Sequence, residues 1–254
     1  PLVNRHISTL IIRTFMKKYL PNYINCMNII CGAISMVMSL HFGFLKLAAL
    51  FIIFAAMFDF FDGFTARLLK VQSPMGVDLD SLADVFSFGG APAMIVFVWL
   101  EQCLFNLPPS LTAHSWVQAV PSLPFLLPAV SAVRLAYFNH DDRQPTDFYC
   151  LPTPANALFI GFLPIAADRL PFVNNFWAVL VLMLVFCFLL VSDLPMFSLK
   201  FKQFKWKGNE VRYIFLVLAV VLFAIFRLGS FPIIILSYIL ISVTIFALQK
   251  IQLL

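Results

Sequence analysis

The sequence predicts an all-α fold: a polytopic membrane helix bundle of about eight transmembrane helices, six forming a core and two following it, with an N-terminal amphipathic interfacial segment. Three observations predict it. Hydrophobic residues make up 62% of the chain and charged residues 11%, with a mean hydropathy of +0.95, a balance that excludes a soluble domain. The apolar residues gather in runs near the ~20 residues that a helix needs to cross a bilayer. Lys and Arg are divided unevenly between the two sets of connecting segments, as the positive-inside rule requires.

Residues 1–20 mix Arg5, Arg13, Lys17 and Lys18 with Ile, Leu and Phe, which suits a helix lying on an anionic leaflet and is too polar to span it. Apolar spans are expected at about 22–41, 47–69, 77–100, 116–139, 152–168, 174–194, 211–228 and 230–249, the fifth being short. The core then occupies 21–194, and 195–254 carries a basic interfacial loop and two C-terminal helices. An even number of crossings puts both termini on one side. Of the 17 Lys and Arg, only Lys46, Arg169 and Arg227 fall on the opposite side, so the N-terminal side is cytoplasmic.

The loop 101–115 has no Lys or Arg and suits an external connection. The stretch Lys200-Phe-Lys202-Gln-Phe-Lys205-Trp-Lys207 interleaves basic and aromatic residues. Between two membrane spans this is a strip for anionic lipid headgroups, and no nucleic-acid partner is expected. The five cysteines (26, 31, 103, 150 and 187) show no CxxC spacing and read as small hydrophobes, not disulfides or zinc ligands.

The stretch that departs from this apolar background is Asp59 to Asp84. Asp59 and Asp62 interrupt the second span, and Asp80 and Asp84 open the third. Acids inside membrane spans are rare and usually functional. Two like charges about 4 Å apart repel by roughly 4 kcal/mol at an effective dielectric near 20. Bound divalent cations remove that repulsion, because carboxylate oxygens are hard ligands suited to magnesium, calcium or manganese. Asp59 and Asp62 are three residues apart and Asp80 and Asp84 four, so each pair shares a helical face. A turn at Ser73-Pro74 lets the two pairs face each other. With helix ends near Leu69 and Val77, Asp62 and Asp84 each lie roughly 10 Å inside. Gly63 leaves room for a bulky ligand beside Asp62, and Arg67 is placed to meet phosphate. Structural salt bridges are the alternative, but Arg67 is the only basic residue in this neighbourhood of the chain before Lys70.

The run Asp59-x2-Asp62-Gly63-x2-Ala66-Arg67-x8-Gly76-x3-Asp80-x3-Asp84 is similar at every fixed position to the signature of the CDP-alcohol phosphotransferase family. Three further stretches narrow the resemblance to the membrane-embedded phosphatidylserine synthases within it. They are Pro21-Asn22-x5-Asn28-x2-Cys31-Gly32, then Arg134-Leu-Ala-x-Phe-Asn139 with Phe148-x2-Leu151-Pro152-x-Pro154-Ala155, and Met196-Phe-Ser-Leu-Lys200-Phe-Lys202. Two positions depart from that pattern: Asn25 stands where Thr is common, and Cys150 where Gly usually precedes Leu-Pro.

The resemblance implies transfer of a phosphatidyl group from CDP-diacylglycerol to the hydroxyl of L-serine, with release of CMP. Two divalent cations, Mg2+ or Mn2+, would be held by Asp59, Asp62, Asp80 and Asp84, with Asp84 also the catalytic base. Asn28, Gly63, Ala66, Arg67 and Gly76 would bind the CDP-lipid. Arg134, Asn139 and Arg143 near the cytoplasmic edge would orient serine, since Arg pairs a carboxylate bidentately; snorkelling to water is the other reading of Arg143. A homodimer in the cell membrane, with its site at the cytoplasmic face and lipid tails entering between helices, is also implied. Rival readings are the same chemistry with glycerol 3-phosphate or an inositol compound as acceptor, or a divalent-metal transporter. One buried Arg favours serine over a phosphorylated acceptor. Acids near one face, without a second acidic motif, disfavour transport.

Overall fold

The computed structural model describes residues 2–71, 73–140, 148–197, 206 and 209–252, with the side chains of all these except 2–18, 140, 148–149, 195 and 249–252. The chain within them is almost wholly helical. Helix α1 spans Leu2–Leu40, α2 Leu45–Leu69, α3 Pro74–Leu104 and α4 Ser115–Asn139. Helices α5 (Thr153–Ala166), α6 (Phe176–Val191), α7 (Glu210–Phe226) and α8 (Phe231–Gln252) follow. Each of the eight expected spans therefore has a helical counterpart. The interfacial segment expected at 1–20 is not set off from the first span; α1 runs through both, with Pro21 inside it.

Five segments are long and apolar enough to cross a membrane: Tyr19–Leu40, α2, α3, α4 and Glu210–Leu248. Two shorter apolar helices, α5 and α6, complete the bundle. The last long segment is not one rod. Arg227 has φ +52°, outside the helical range, and a 3-10 turn covers Arg227–Ser230. The rings of Phe215 and Tyr238, far from that break on either side, have centroids 5.7 Å apart, so α8 folds back along α7. The chain is a multi-pass membrane protein.

Close approach between helices rests on small residues, which pack backbones together where lipid offers no hydrophobic drive. Ala48, Ala49 and Ala55 of α2 are fully buried, and Ser35 of α1 donates to the Ala48 carbonyl at 2.8 Å. The turn between α1 and α2 needs Gly43, whose φ is +67°. A Cβ on Gly89 of α3 would stand 2.7 Å from Pro128 Cα of α4, and one on Gly161 of α5 2.6 Å from Ile52 of α2. These contacts surround a core of Ile52, Ile95, Leu100, Phe159, Phe162 and Phe186, in which the rings of Phe159 and Phe186 stack.

Helices α7 and α8 dock on this core through Phe231, whose ring lies 4.6 Å from Phe162. Tyr238 of α8 donates to the Phe197 carbonyl at 2.8 Å. Much of α7 is exposed and apolar, including Leu216, Val217, Val220 and Val221, a surface suited to acyl chains. One short antiparallel pair, β1 (Phe148–Tyr149) with β2 (Pro195–Met196), ties the segment before α5 to the one after α6. Cys150 follows it with φ +70°, its N–H donating to the Leu194 carbonyl at 3.0 Å. That left-handed backbone explains why glycine suits this position. The basic strip Lys200, Lys202, Lys205 and Lys207 lies outside the described residues.

Candidate functional site

The site is built where α2 ends and α3 begins. Lys70 caps α2 in the left-handed conformation, its N–H directed to the carbonyls of Ala66 and Arg67. Ser73 caps α3, accepting from the Gly76 N–H at 3.0 Å, and Pro74 occupies the first turn. This cap starts α3 three residues earlier than the expected Val77 and changes the register. Asp62 is now matched in depth by Asp80, each about 10 Å from its helix end, and Asp59 by Asp84, each about 15 Å in. The expected equal depth of Asp62 and Asp84 is thereby corrected. Side-chain proximity follows the observed register: Asp62 lies within hydrogen-bonding reach of Asp80, and Asp59 of Asp84.

One carboxylate oxygen from each of Asp59, Asp62 and Asp80 lies within 4.8 Å of the other two, so the cluster could hold a metal ion. Asp62 and Asp84 are buried, Asp59 and Asp80 half-buried. No Lys or Arg among the described residues forms an ion pair with any of the four. Their neutral neighbours donate instead: the Gly63 N–H and the Asn25 side chain to Asp62, and Thr153 to Asp84 at 3.4 Å. Asp84 Oδ1 is buried with no partner. An all-oxygen donor set with an orphaned carboxylate oxygen fits a hard divalent cation.

A cavity of about 910 Å³ opens beside Asp62 and Asp80. Gly63, Ala66, Arg67 and Gly76 line it, so four of the five residues expected to meet the CDP-lipid are brought together there, with Asn22, Asn25 and Lys70. A Cβ at Gly63 would meet nothing within 4 Å, so no protein group fills the space that this glycine leaves. The fifth residue, Asn28, is fully buried on α1 and does not line the cavity. Both side-chain polar atoms of Asn28 lack partners, while its carbonyl accepts from Ser87 at 3.0 Å. Ser87 belongs to a π-helical stretch, Val85–Gly90, that directly follows Asp84. Such stretches are frequent at functional sites.

Among the described residues, the cation acting on Asp84 is Arg134 of α4, not Arg67. Its guanidinium donates to Thr153 Oγ1 at 3.1 Å, and Thr153 in turn donates to Asp84. Arg67 is exposed at the cavity rim. Asn139 behaves differently from Arg134: its amide donates to Ser81 Oγ at 2.9 Å, clasping α4 to α3 at the exposed edge. Arg143 lies outside the described residues. Sequence reasoning assigned no role to Thr153, although its position in Leu151-Pro152-Thr153-Pro154 was a signal; a hydroxyl at a proline-marked helix start is a natural contact.

Four acids on two helix faces, three of them placed so that they could hold a metal ion, thus stand beside a cavity bordered by Gly63 and Arg67. Comparison with known proteins agrees. The family description CDP-alcohol phosphatidyltransferase matches residues 18–225, and the chain belongs to that family. It is 34% identical over 137 residues to a CDP-diacylglycerol–serine O-phosphatidyltransferase of Bacillus subtilis, covering 52% of this chain and 70% of that one. It is 32% identical over 162 residues to the protein of that name from Mycobacterium leprae, covering 59% of this chain and about half (49%) of the relative. For the Helicobacter pylori protein of the same name, identity is 27% over 193 residues, covering 73% and 74%.

Proposed function

We propose that the chain transfers the phosphatidyl group of CDP-diacylglycerol to L-serine, releasing CMP. The observation that carries this reading is the convergence of Asp59, Asp62 and Asp80, with Asp84 beside Asp59 and no ion pair to any of the four among the described residues, next to a cavity that Arg67 borders. The family and the relatives' names support the donor and the acceptor. Two divalent cations, Mg2+ or Mn2+, would be held by the four aspartates and would supply charge neutralisation at the diphosphate and at the leaving oxygen.

The chain's own residues bind, orient and move a proton. Gly63 and Ala66 leave room for the nucleotide, Gly76 keeps the cap of α3 close to Asn22, and Arg67 meets phosphate oxygens. Asn28, whose buried amide is unpartnered, contributes at the nucleotide end. Arg134 pairs with the serine carboxylate, and Asn139 acts by holding α4 against α3. Arg143 is a further serine contact. Asp84 accepts the proton of the serine hydroxyl as the new bond from serine oxygen to the phosphatidyl phosphorus forms and the bond from that phosphorus to the CMP oxygen breaks. The electron pair leaves with CMP. Helix α7 offers acyl chains an apolar face, and the same face suits a second copy in a homodimer. The site opens on the cytoplasmic face of the cell membrane, which the clustering of Lys and Arg on that side supports.

The regions divide as a cytoplasmic-interface segment at 1–20, a catalytic core at 21–194 and a supporting C-terminal unit at 195–254. The test is CMP release from CDP-diacylglycerol by purified protein with Mg2+ or Mn2+, against serine, glycerol 3-phosphate and inositol compounds. Serine-dependent release is expected. Release only with another acceptor would overturn the acceptor and keep the chemistry. Metal uptake into liposomes without any CMP would overturn both.

A further inference from the structure

Besides Asn25 and Asn28, Asp84 itself and three residues of α4 and α5 carry buried polar atoms without partners. Ser131 on α4 and Asn156 on α5 are fully buried, and Ser131 Oγ and both amide atoms of Asn156 have no hydrogen-bond partner. Arg134 Nε and Asp84 Oδ1 are in the same condition. Buried polar groups are nearly always paired, and each exception needs a reason. Four of the six residues concerned lie on α3, α4 and α5.

The helix registers bring them together. Pro128 lies against Gly89, and Asn139 bonds to Ser81, so the stretch of α4 between them runs antiparallel along the stretch of α3 that contains Asp84. Ser131 is one turn from Arg134, towards the membrane interior. Gly161 of α5 packs on Ile52 of α2, and Leu158 shares a groove with Ala56 and Phe60, so these two helices are also antiparallel. Asn156 then lies within about 3 Å of the height of Asp59. It is one turn from Thr153, which touches both Asp84 and Arg134. Ser131 and Asn156 thus flank the Arg134–Thr153–Asp84 chain from two helices.

The chemistry of the free atoms points to their ligand. A phosphorylated acceptor asks for donors and cations only. This set is mixed: Arg134 Nε and Asn156 Nδ2 donate, Asn156 Oδ1 and Asp84 Oδ1 accept, and the Ser131 hydroxyl can do either. A small zwitterion carrying a carboxylate, an ammonium and a hydroxyl uses both kinds. We propose that Asn156 and Ser131 are acceptor-binding residues: Asn156 Nδ2 joins Arg134 on the carboxylate of the amino-acid acceptor, while Asn156 Oδ1 and Ser131 Oγ receive its ammonium group. The acceptor hydroxyl is then turned towards Asp84. The inference rests on the function proposed above and names the specificity determinants of that site.

The experiment measures CMP release by the purified full-length chain with CDP-diacylglycerol and Mn2+, varying the acceptor. In Asn156→Leu, which keeps the branched side-chain shape and removes both polar atoms, the KM for serine should rise about 10–100-fold. Ser131→Ala should raise it by a smaller factor, about 3–10-fold. The KM for CDP-diacylglycerol and the Mn2+ dependence should stay within about twofold. The preference for serine over ethanolamine, which lacks the carboxylate, should shrink by about tenfold or more in Asn156→Leu. A merely structural role for Asn156 would not move that ratio. An unchanged serine KM in both variants overturns the proposal, as does a parallel rise in the KM for CDP-diacylglycerol. Should Asn156→Leu fail to fold, Ser131→Ala and Asn156→Ser decide by the same criteria. The wild-type acceptor panel tests the proposed function separately. If another acceptor is used, the variants are measured with that acceptor, and an unchanged KM sinks the pocket whatever the acceptor is.

Discussion

Helix α2 carries charge at both ends, and the two ends are treated differently. At its start, Lys46 pairs with Asp168 at 2.5 Å, and both side chains are more than half exposed, at 62% and 55%. Towards its other end, Asp59 and Asp62 meet Asp80 in a partly buried cluster, with Asp84 beside Asp59, and no described Lys or Arg forms an ion pair with any of the four. The exposed acid has a partner it scarcely needs, because water already solvates it. The enclosed acids need one far more, and among the described residues only Asp84 has a cation nearby, Arg134, which reaches it through Thr153 and not by an ion pair. A charge the protein neutralises for itself belongs to its structure; a cluster left uncompensated inside a membrane fits a ligand that brings its own positive charge.

The contrast can be broken at several points, beginning with the largest effect. Asp84→Asn should lower CMP release by on the order of 10³-fold or more, since it removes the proposed cation ligand and proton acceptor. In chelator, the same variant should unfold about 2–4 °C higher than the parent, because one of four crowded like charges has gone. Activity loss with a lowered unfolding temperature would mean that Asp84 serves the fold. Next comes Arg134→Lys, which keeps the charge and loses the planar fork. Its KM for the acceptor should rise about 10–100-fold with the KM for CDP-diacylglycerol unchanged, and steady-state kinetics with each substrate varied in turn reads this directly.

Smaller effects sharpen the structural half of the comparison. Cys150 holds φ +70° beside the loop that delivers Thr153. Cys150→Gly should relieve about 1 kcal/mol and raise the unfolding temperature by about 2–4 °C in a thermal scan in detergent. The least effect is expected at the paired end of α2. Lys46→Met should change stability by less than about 1 kcal/mol and leave CMP release within about twofold. A large loss there would remove the distinction between the two ends.

Much of this was legible in the chain before any fold was known. The spacing of the aspartates announced two facing pairs, because helical periodicity is local and acids stand out against apolar spans. The positions of the eight apolar helices were legible for the same reason. The register between the pairs was not. It depends on where α3 starts, and Ser73-Pro74 reads equally as a turn or as a cap with its first helical residue. Nor was the partner of Asp84, since Arg134 lies 50 positions away in the chain and reaches it only through the packing of α4 and α5 on α3. Asn139 stood beside Arg134 in the same motif, yet its clasp to Ser81 is a tertiary fact. Ser131 and Asn156 were masked by the apolar runs around them, which a window average registers as ordinary membrane spans. The return of α8 along α7 turns on the single unusual φ of Arg227, for which its residue type offers no hint.

The central claim is that the four aspartates await divalent cations. Titration of the purified, metal-stripped protein with Mn2+, followed by electron paramagnetic resonance of the free ion, tests it without any substrate. Saturable binding of about two Mn2+ per chain, lost in Asp62→Asn/Asp80→Asn and retained in Lys46→Met, is the predicted result. No saturable binding by the folded parent protein, or equal binding by the double variant, would contradict it.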